Sequence, residues 1–414
     1  MAVLGDLGRA CSSGARPGTA ADSVDGVVPG AVVSPCSTEE VASALRAAAA
    51  AGSTVVARGA GTKLDWGNPP EAADLLVDLS SMGAVVEHTS GDLVARAEAG
   101  TTLAHLEAVL AEQGQCLPVD EVVPGSTVGG VVATGLSGPS RYLHGPVRDL
   151  VLGATAVRAD GVVVHAGSKV VKNVAGYDLA KLFTGSYGTL VVLTEVTFKL
   201  RPRPAARRFV VASYERPEDL ARTLPGVLAS QAAPTAVELG RAGPEAPLQL
   251  CVLVEGRPRP VGQRVAEVAG AMGPCEVSPE PPPGWAELPG PVTFKLTSVL
   301  SALPTLVAQV SSLAREHGLA AKLAGSAGTG VLFLGVPGEG QGEGRTAPLA
   351  GFLAGVRRAA AAGGGHATVL RAPAPLKASL DVWGPVPGLE LMRRVKDRFD
   401  PDRRLAPGRF VGGI

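Results

Sequence analysis

Pro124 to Gly135 read P-G-S-T-V-G-G-V-V-A-T-G, and Arg58 to Thr62 read R-G-A-G-T. Both runs stand beside strand-like sequence, and both use glycine where a side chain would hold the backbone at a distance. In the shorter run the two glycines permit positive φ, so successive backbone N–H groups can converge on one point. Such a nest of donors binds a pyrophosphate without any lysine in contact. The longer run adds small residues and the hydroxyls of Ser126, Thr127 and Thr134. Together the two turns are expected to line a long slot for a dinucleotide.

Around these turns the pattern is regular from Val32 onward. Ser37-Thr-Glu-Glu40 fits a capping box opening an alanine-rich helix to about Ala51. Strands are expected at 54–58, 75–79, 84–88 and 93–99, and a helix with leucines at helical spacing over 102–114. Segments 151–157 and 162–166 flank a D-G turn and form a hairpin. Then comes K-V-V-K-N-V-A-G-Y-D-L-A-K-L-F-T-G-S-Y-G-T-L-V-V-L-T-E, residues Lys169 to Glu195. It reads as a strand, a polar turn at Gly176-Tyr177, a short helix over 179–184 capped by Asp178, and a Gly-Ser-Tyr-Gly turn before a second strand. Prolines after Phe198 mark a boundary. From about 205 the texture changes to an α+β domain with an antiparallel sheet. Residues 337–345 are low in complexity, and 391–410 form a basic helix stopped at Asp400-Pro401.

Composition narrows the function classes. The 414 residues suffice for two or three domains, and 38 basic residues balance 38 acidic ones, which leaves no electrostatic footprint for nucleic acid or an anionic membrane. The five cysteines form no C-x-x-C, which argues for a reducing compartment and against a ferredoxin-type cluster held by this chain. No secretory signal or uncharged apolar run of about 18 residues occurs, so a cytoplasmic protein without a membrane span is expected. Phosphate-loop, zinc-protease and nucleophile-elbow motifs are missing, as is a G-x-G-x-x-G between strand and helix, so a nicotinamide-binding Rossmann domain is not expected. The histidines are scattered, with no pair at metal-ligand spacing.

Five motifs occur together in order: R-G-A-G-T, P-G-S-T-V-G-G, G-P-V-R-D-L-V-L-G, V-K-N-V-A-G-Y-D-L-A-K-L and G-S-Y-G-T-L-V-V-L-T-E. In this the chain resembles FAD-binding proteins of the vanillyl-alcohol-oxidase type. K-N-V-A-G-Y-D-L, with G-G-H-A-T-V-L-R at 364–371, is similar to the FAD-binding subunit of bacterial glycolate oxidase. The resemblance implies an α+β fold: a loose leader (1–28), a PCMH-type FAD-binding domain of two α/β subdomains (29–204), an α+β cap (205–385) and a C-terminal return (386–414).

By the same resemblance Arg58, Gly59, Ala60, Gly61 and Thr62, with Gly125, Ser126, Thr127, Gly129 and Gly130, hold the pyrophosphate and ribose. Thr134, Gly135 and Ser137 pass near the flavin ring. Gly188, Thr189 and Leu190 lie along the adenosine half, and Arg148 and Asp149 stand beside the slot. Lys172, Tyr177 and His366 are the candidate catalytic residues; a donor near the flavin's pyrimidine end would stabilise the charge that develops on reduction. Related enzymes attach flavin covalently through a histidine or cysteine near the first turn. Residues 55–67 contain neither, so noncovalent FAD is expected. No metal is expected. His366 and Arg371 sit at odd offset on one expected strand and should point to opposite faces. The family's Asn-Pro-Gly near the C-terminus is Ala406-Pro407-Gly408 here.

The implied activity is glycolate oxidation to glyoxylate, with a larger FAD-containing catalytic subunit and an iron–sulfur subunit as partners. A stand-alone oxidoreductase for another 2-hydroxy acid or a sugar lactone is the alternative, and a flavin-free structural subunit is a third reading.

Overall fold

Short segments rich in valine and leucine, with little polar alternation, suit parallel strands buried on both faces. In the computed structural model, which describes residues 10–168, 177–337 and 346–414, they form such a sheet. β1 (Ala15–Pro17), β2 (Ala31–Val33), β3 (Val55–Arg58) and β4 (Leu75–Asp78) lie in the order β1-β2-β4-β3. β4 is parallel to both its neighbours, and β1 is antiparallel to β2. Helix α1 (Thr38–Ala50) starts where Ser37 Oγ accepts from the Glu40 N–H at 3.2 Å. The Glu40 carboxylate does not complete the expected box onto Ser37. It accepts instead from the Cys36 and Ser12 N–H groups, at 2.8 and 2.9 Å.

That bond helps tie down the described part of the segment expected to be a loose leader. Asp22, 3% exposed, is held by Arg16, Thr19 and Arg58. A buried carboxylate needs such partners, and Arg16 above all holds its carboxyl well below the usual range.

A second sheet is antiparallel throughout. It orders β5 (Val85–Thr89), β6 (Val94–Glu98), β7 (Val151–Val157), β8 (Val163–Gly167) and β9 (Val192–Lys199) as β5-β6-β9-β7-β8. Helices α2 (Leu103–Ala111), α3 (Val128–Thr134) and α4 (Leu179–Phe183) pack with both sheets into one core that includes Leu45, Leu75, Leu106, Val131, Phe183 and Phe198. Asp178 caps α4, as expected, by accepting from the Lys181 N–H. These elements belong to a unit made of Met1–Ser137, Pro146–Arg203 and Pro385–Ile414.

The other unit comprises Gly138–Gly145 and Pro204–Gly384. Its eight-stranded sheet is antiparallel throughout: β10 (Ala206–Tyr214), β11 (Ala236–Arg241), β12 (Leu248–Gly256), β13 (Glu276–Ser278), β14 (Val292–Thr297), β15 (Lys322–Ser326), β16 (Val331–Val336) and β17 (Ala367–Arg371). Their spatial order is β13-β10-β12-β11-β15-β16-β14-β17. Helices α5 (Pro217–Ala229), α6 (Pro258–Met272), α7 (Leu303–Glu316) and α8 (Thr346–Ala362) share a core with one face of it, including Val210, Val252, Phe294, Leu332 and Phe352.

One register shift corrects the sequence reading. Lys295 pairs with Thr368, but Thr293 pairs with Arg371, because β17 spends an extra residue in a bulge. Paired residues in an antiparallel ladder share a face, and Thr293 shares one with Lys295. Arg371 therefore lies on the face of Lys295. His366, whose Nδ1 is 3.0 Å from Thr297 Oγ1, is on that face too. His366 and Arg371 are not opposed.

Candidate cofactor cleft

The first glycine turn leaves the end of β3 and meets the start of α3. A Cβ on Gly59 would lie 2.2 Å from Thr127 Oγ1, so the two turns touch only because Gly59 has no side chain. Gly61 adopts φ +76°, which glycine alone takes without strain. Thr127 caps α3, its Oγ1 accepting from the Gly130 N–H at 3.3 Å. The sequence reads 124–135 as a glycine-dense turn; instead V-G-G-V-V-A-T closes into a helix, and its valines bury against the core.

Between the turns lies a cleft of about 840 Å³, part of it open to solvent. Arg58, Gly59, Ala60, Gly61, Thr62, Thr127, Gly129, Gly130, Thr134 and Gly188 all line it. Gly125, Ser126, Gly135, Ser137, Thr189 and Leu190 do not line it. Ser126 Oγ accepts from Lys63, Ser137 Oγ accepts from the Val147 N–H, and Thr189 Oγ1 donates to the Ser186 carbonyl. Arg58 is engaged by Asp78 at 2.6 Å and Asp22 at 3.3 Å. Arg148 Nε donates to the Lys181 carbonyl, and neither it nor Asp149 reaches the cleft. Tyr177 is 93% exposed. Lys172 lies outside the described residues.

Three wall residues escaped the sequence reading. Lys63, 7% exposed, donates to Ser126 Oγ at 2.6 Å and Thr62 Oγ1 at 3.0 Å. Burial lowers its ammonium to about 8, only partly opposed by Glu121. Arg409, 4% exposed, donates through Nη2 to the carbonyls of Lys63 and Leu64. Its Nη1 is buried without a hydrogen-bond partner among the described residues. Tyr187 stacks at 5.6 Å on Phe410, and burial pushes its phenol up to about 12. Arg409 arrives because residues 404–406 pair with β3: Val55 N–H donates to the Arg404 carbonyl and Ala406 N–H to the Val55 carbonyl, each at 2.8 Å. Ala406 holds φ +42°, a conformation an asparagine tolerates far better than alanine.

Two buried cations without a bonded carboxylate, beside crowded backbone amides, form a wall for a phosphorylated anion. FAD fits this wall: an orphaned guanidinium nitrogen and a buried ammonium answer a diphosphate, and the apolar Val191, Val192 and Leu193 answer a flat ring system.

Comparison with known proteins agrees. Residues 29–167 match the family model described as FAD binding domain, and residues 378–410 match that of FAD linked oxidases, C-terminal domain. These matches make FAD the cofactor of the cleft. The curated relatives that the chain resembles include glycolate oxidase subunits. It is 42% identical over 154 residues to glycolate oxidase subunit GlcE of Escherichia coli, covering 37% of this chain and 43% of that one. Over 212 residues it is 32% identical to glycolate oxidase subunit GlcD of Bacillus subtilis, covering 51% and 45%. A D-lactate dehydrogenase of Archaeoglobus fulgidus is 34% identical over 188 residues, covering 45% and 42%. The chain thus matches less than half the length of each of these relatives. Among solved structures, a chitooligosaccharide oxidase superposes with TM-score 0.68 at 16% identity, covering 97% of both chains. Alkyldihydroxyacetonephosphate synthase gives 0.69 at 18%, covering 93% of this chain and 77% of that one. These two establish the fold alone.

Proposed function

We propose that this chain is the FAD-binding subunit of a glycolate oxidase or dehydrogenase complex. It holds FAD noncovalently and takes part in oxidising a small 2-hydroxy acid, while electrons leave through a larger flavoprotein subunit and an iron–sulfur subunit. The observation that carries this reading is the glycine-walled cleft with Lys63 and Arg409 buried in it. Similarity to GlcD and GlcE, each a subunit of glycolate oxidase, supports a complex. Scattered cysteines motivate a separate cluster-bearing partner. Among the described residues no helix is long and apolar enough to cross a membrane.

Bound in the cleft, FAD supplies a two-electron acceptor for the hydride of a CH–OH group. The chain's own part is to grip it. Amides at Gly59 and Gly61 would meet the diphosphate, and Lys63 and Arg409 would balance its charge. Residues 55–67 offer no histidine or cysteine for attachment.

The test is purification of the full chain. Yellow protein whose FAD passes wholly into the supernatant on acid precipitation is the expected result. Colourless protein that does not take up added FAD, or flavin that stays with the precipitate, overturns the reading. Glycolate turnover by the isolated chain would favour a stand-alone enzyme.

A pH dependence follows from Lys63. A diphosphate beside the ammonium raises its pKa above the value of about 8 in the free protein. Binding then takes up a proton above pH 8, so FAD affinity is full below that value and falls as the pH rises through it. Lys63→Met should raise the Kd roughly tenfold to a hundredfold, as for a lost hydrogen bond to a charged group, and flatten this slope. Flavin fluorescence titrations from pH 7 to 9.5 provide the check.

A further inference from the structure

The first glycine turn rests on two side chains, and both lead back to the N-terminal segment. A Cβ on Gly61 would lie 3.6 Å from Arg58 Cδ and 3.6 Å from Leu64 Cδ1, so these two groups pack directly against the turn. The Arg58 stem stays there because its guanidinium is clamped. Nη2 donates to Asp78 Oδ2 at 2.6 Å and Nη1 to Asp22 Oδ1 at 3.3 Å, and all three side chains are largely buried. Asp78 ends β4 beside Arg58, and its Oδ1 accepts from the Ser80 N–H at 3.0 Å, so one arm of the clamp belongs to the sheet. Asp22, the other arm, comes from the connection between β1 and β2.

That connection is closed on itself. A Cβ on Gly18 would lie 1.9 Å from the Pro29 carbonyl oxygen, and the Gly18 N–H donates to the Gly30 carbonyl at 3.3 Å. Further along, Val24 and Val27 exchange backbone hydrogen bonds at 2.8 and 3.0 Å. Val24 is fully buried in a cluster with Val32, Val56, Leu76 and Ala406, against which Leu64 also packs. The loop therefore reaches the turn twice, through Asp22 to Arg58 and through Val24 to Leu64. Asp22 is itself fixed: Arg16 grips its two oxygens at 2.7 Å each, and Thr19 donates from its N–H and Oγ1 at 3.0 and 2.8 Å. A carboxylate with this many donors stays ionised and keeps one place.

We infer that Asp22 is a positioning residue for FAD: acting through Arg58, it sets where the backbone amides of residues 59–62 stand. The inference rests on FAD as the occupant of the cleft. An arginine left free at a strand end would sample many rotamers, and its stem would no longer support Gly61. With Asp22 and Asp78 against it, the Arg58 charge is already answered. Arg58 then shapes the turn, and the charge of the diphosphate is left to Lys63 and Arg409. Asp22 precedes residue 29, where the match to the FAD binding domain begins, so the cofactor site extends upstream of that match.

The test uses the full chain, stripped of flavin and titrated with FAD by fluorescence. Asp22→Asn keeps the size and removes the charge. It should raise the Kd about threefold to thirtyfold, the range for changes that alter a site without touching its ligand. Asp22→Glu, which keeps the charge, should show a smaller loss. In an Arg58→Met background Asp22→Asn should add nothing, because the path to the turn is already cut. Glu40→Gln loosens the same segment at Ser12 and Cys36 without entering the clamp, so it should lower Tm and leave the Kd unchanged. Hydrogen exchange gives a readout without FAD: in the flavin-free chain the amides of 59–62 should exchange faster in Asp22→Asn than in the parent. A Kd unchanged in Asp22→Asn, a loss undiminished in the Arg58→Met background, or a Kd that merely follows Tm across Asp22→Asn and Glu40→Gln overturns the inference. If the parent takes up no FAD, the cofactor reading fails instead, and the exchange rates at 59–62 still decide whether Asp22 sets the turn.

Discussion

Gly59→Ala should remove most of the chain's affinity for FAD. The added methyl meets Thr127 Oγ1 at 2.2 Å, with Thr127 Cγ2 and Cβ at 3.1 and 3.2 Å. Something must move, and both candidates are costly. Rotating Thr127 gives up the bond from the Gly130 N–H that caps α3, worth about 1 kcal/mol. Displacing the turn spreads the amides that converge on the diphosphate, an overpacking cost of about 1–3 kcal/mol. Whichever gives way, the Kd should rise roughly fivefold to a hundred-and-fiftyfold. Because the obstruction is a side chain, it can be removed. Gly59→Ala combined with Thr127→Ala should bind FAD better than the Gly59 variant alone, a coupling measured by a double-mutant cycle. A Kd within twofold of the parent, or strict additivity, would show that the two turns do not form one wall.

The sequence made that wall legible, but not what stands in it. Glycines betray themselves because only they permit the backbone approach at Gly59 and the positive φ at Gly61. The caps at Ser37 and Asp178 were readable for a similar reason: their chemistry is local. Lys63 and Arg409 left no such mark. Their guanidinium-to-carbonyl bond joins residues 346 positions apart, and a lysine in a turn reads as solvated until the fold buries it. The same applies to Asp22, whose burial is enforced by Arg16 and Arg58 together. In the second unit the alternation of β17 predicted faces correctly up to Val369 and failed beyond it. A bulge consumes one residue without changing composition, so strict two-residue counting misassigns everything after it.

The C-terminal wall depends on a buried ion pair, and Lys396→Met should therefore be the most damaging single change to stability. Lys396 and Asp400 are both fully buried, one helical turn apart. The ammonium donates to Asp400 Oδ2 and the Thr189 carbonyl at 2.7 Å each, and to the Leu405 carbonyl at 3.0 Å. Without it, Asp400 keeps only the N–H groups of Arg404 and Leu405, at 3.0 and 2.7 Å, and two carbonyls lose a donor. Breaking such a pair from one side costs about 3–5 kcal/mol. For a domain of this size that is a drop of roughly 6 to 20 °C in Tm. Replacing Asp400 by leucine as well removes the stranded charge but also orphans the Arg404 and Leu405 amides, so the double variant should recover only part of the loss. The damage should also be local. Leu405 and Ala406 lie against β3, and Arg409 follows them into the cleft, so hydrogen exchange should quicken over 404–409 while the sheet of the second unit stays protected. FAD affinity should fall alongside, because Arg409 is no longer delivered to the wall. A variant that melts with the parent and keeps its flavin would mean that the return segment is held by its packing alone, with the ion pair idle.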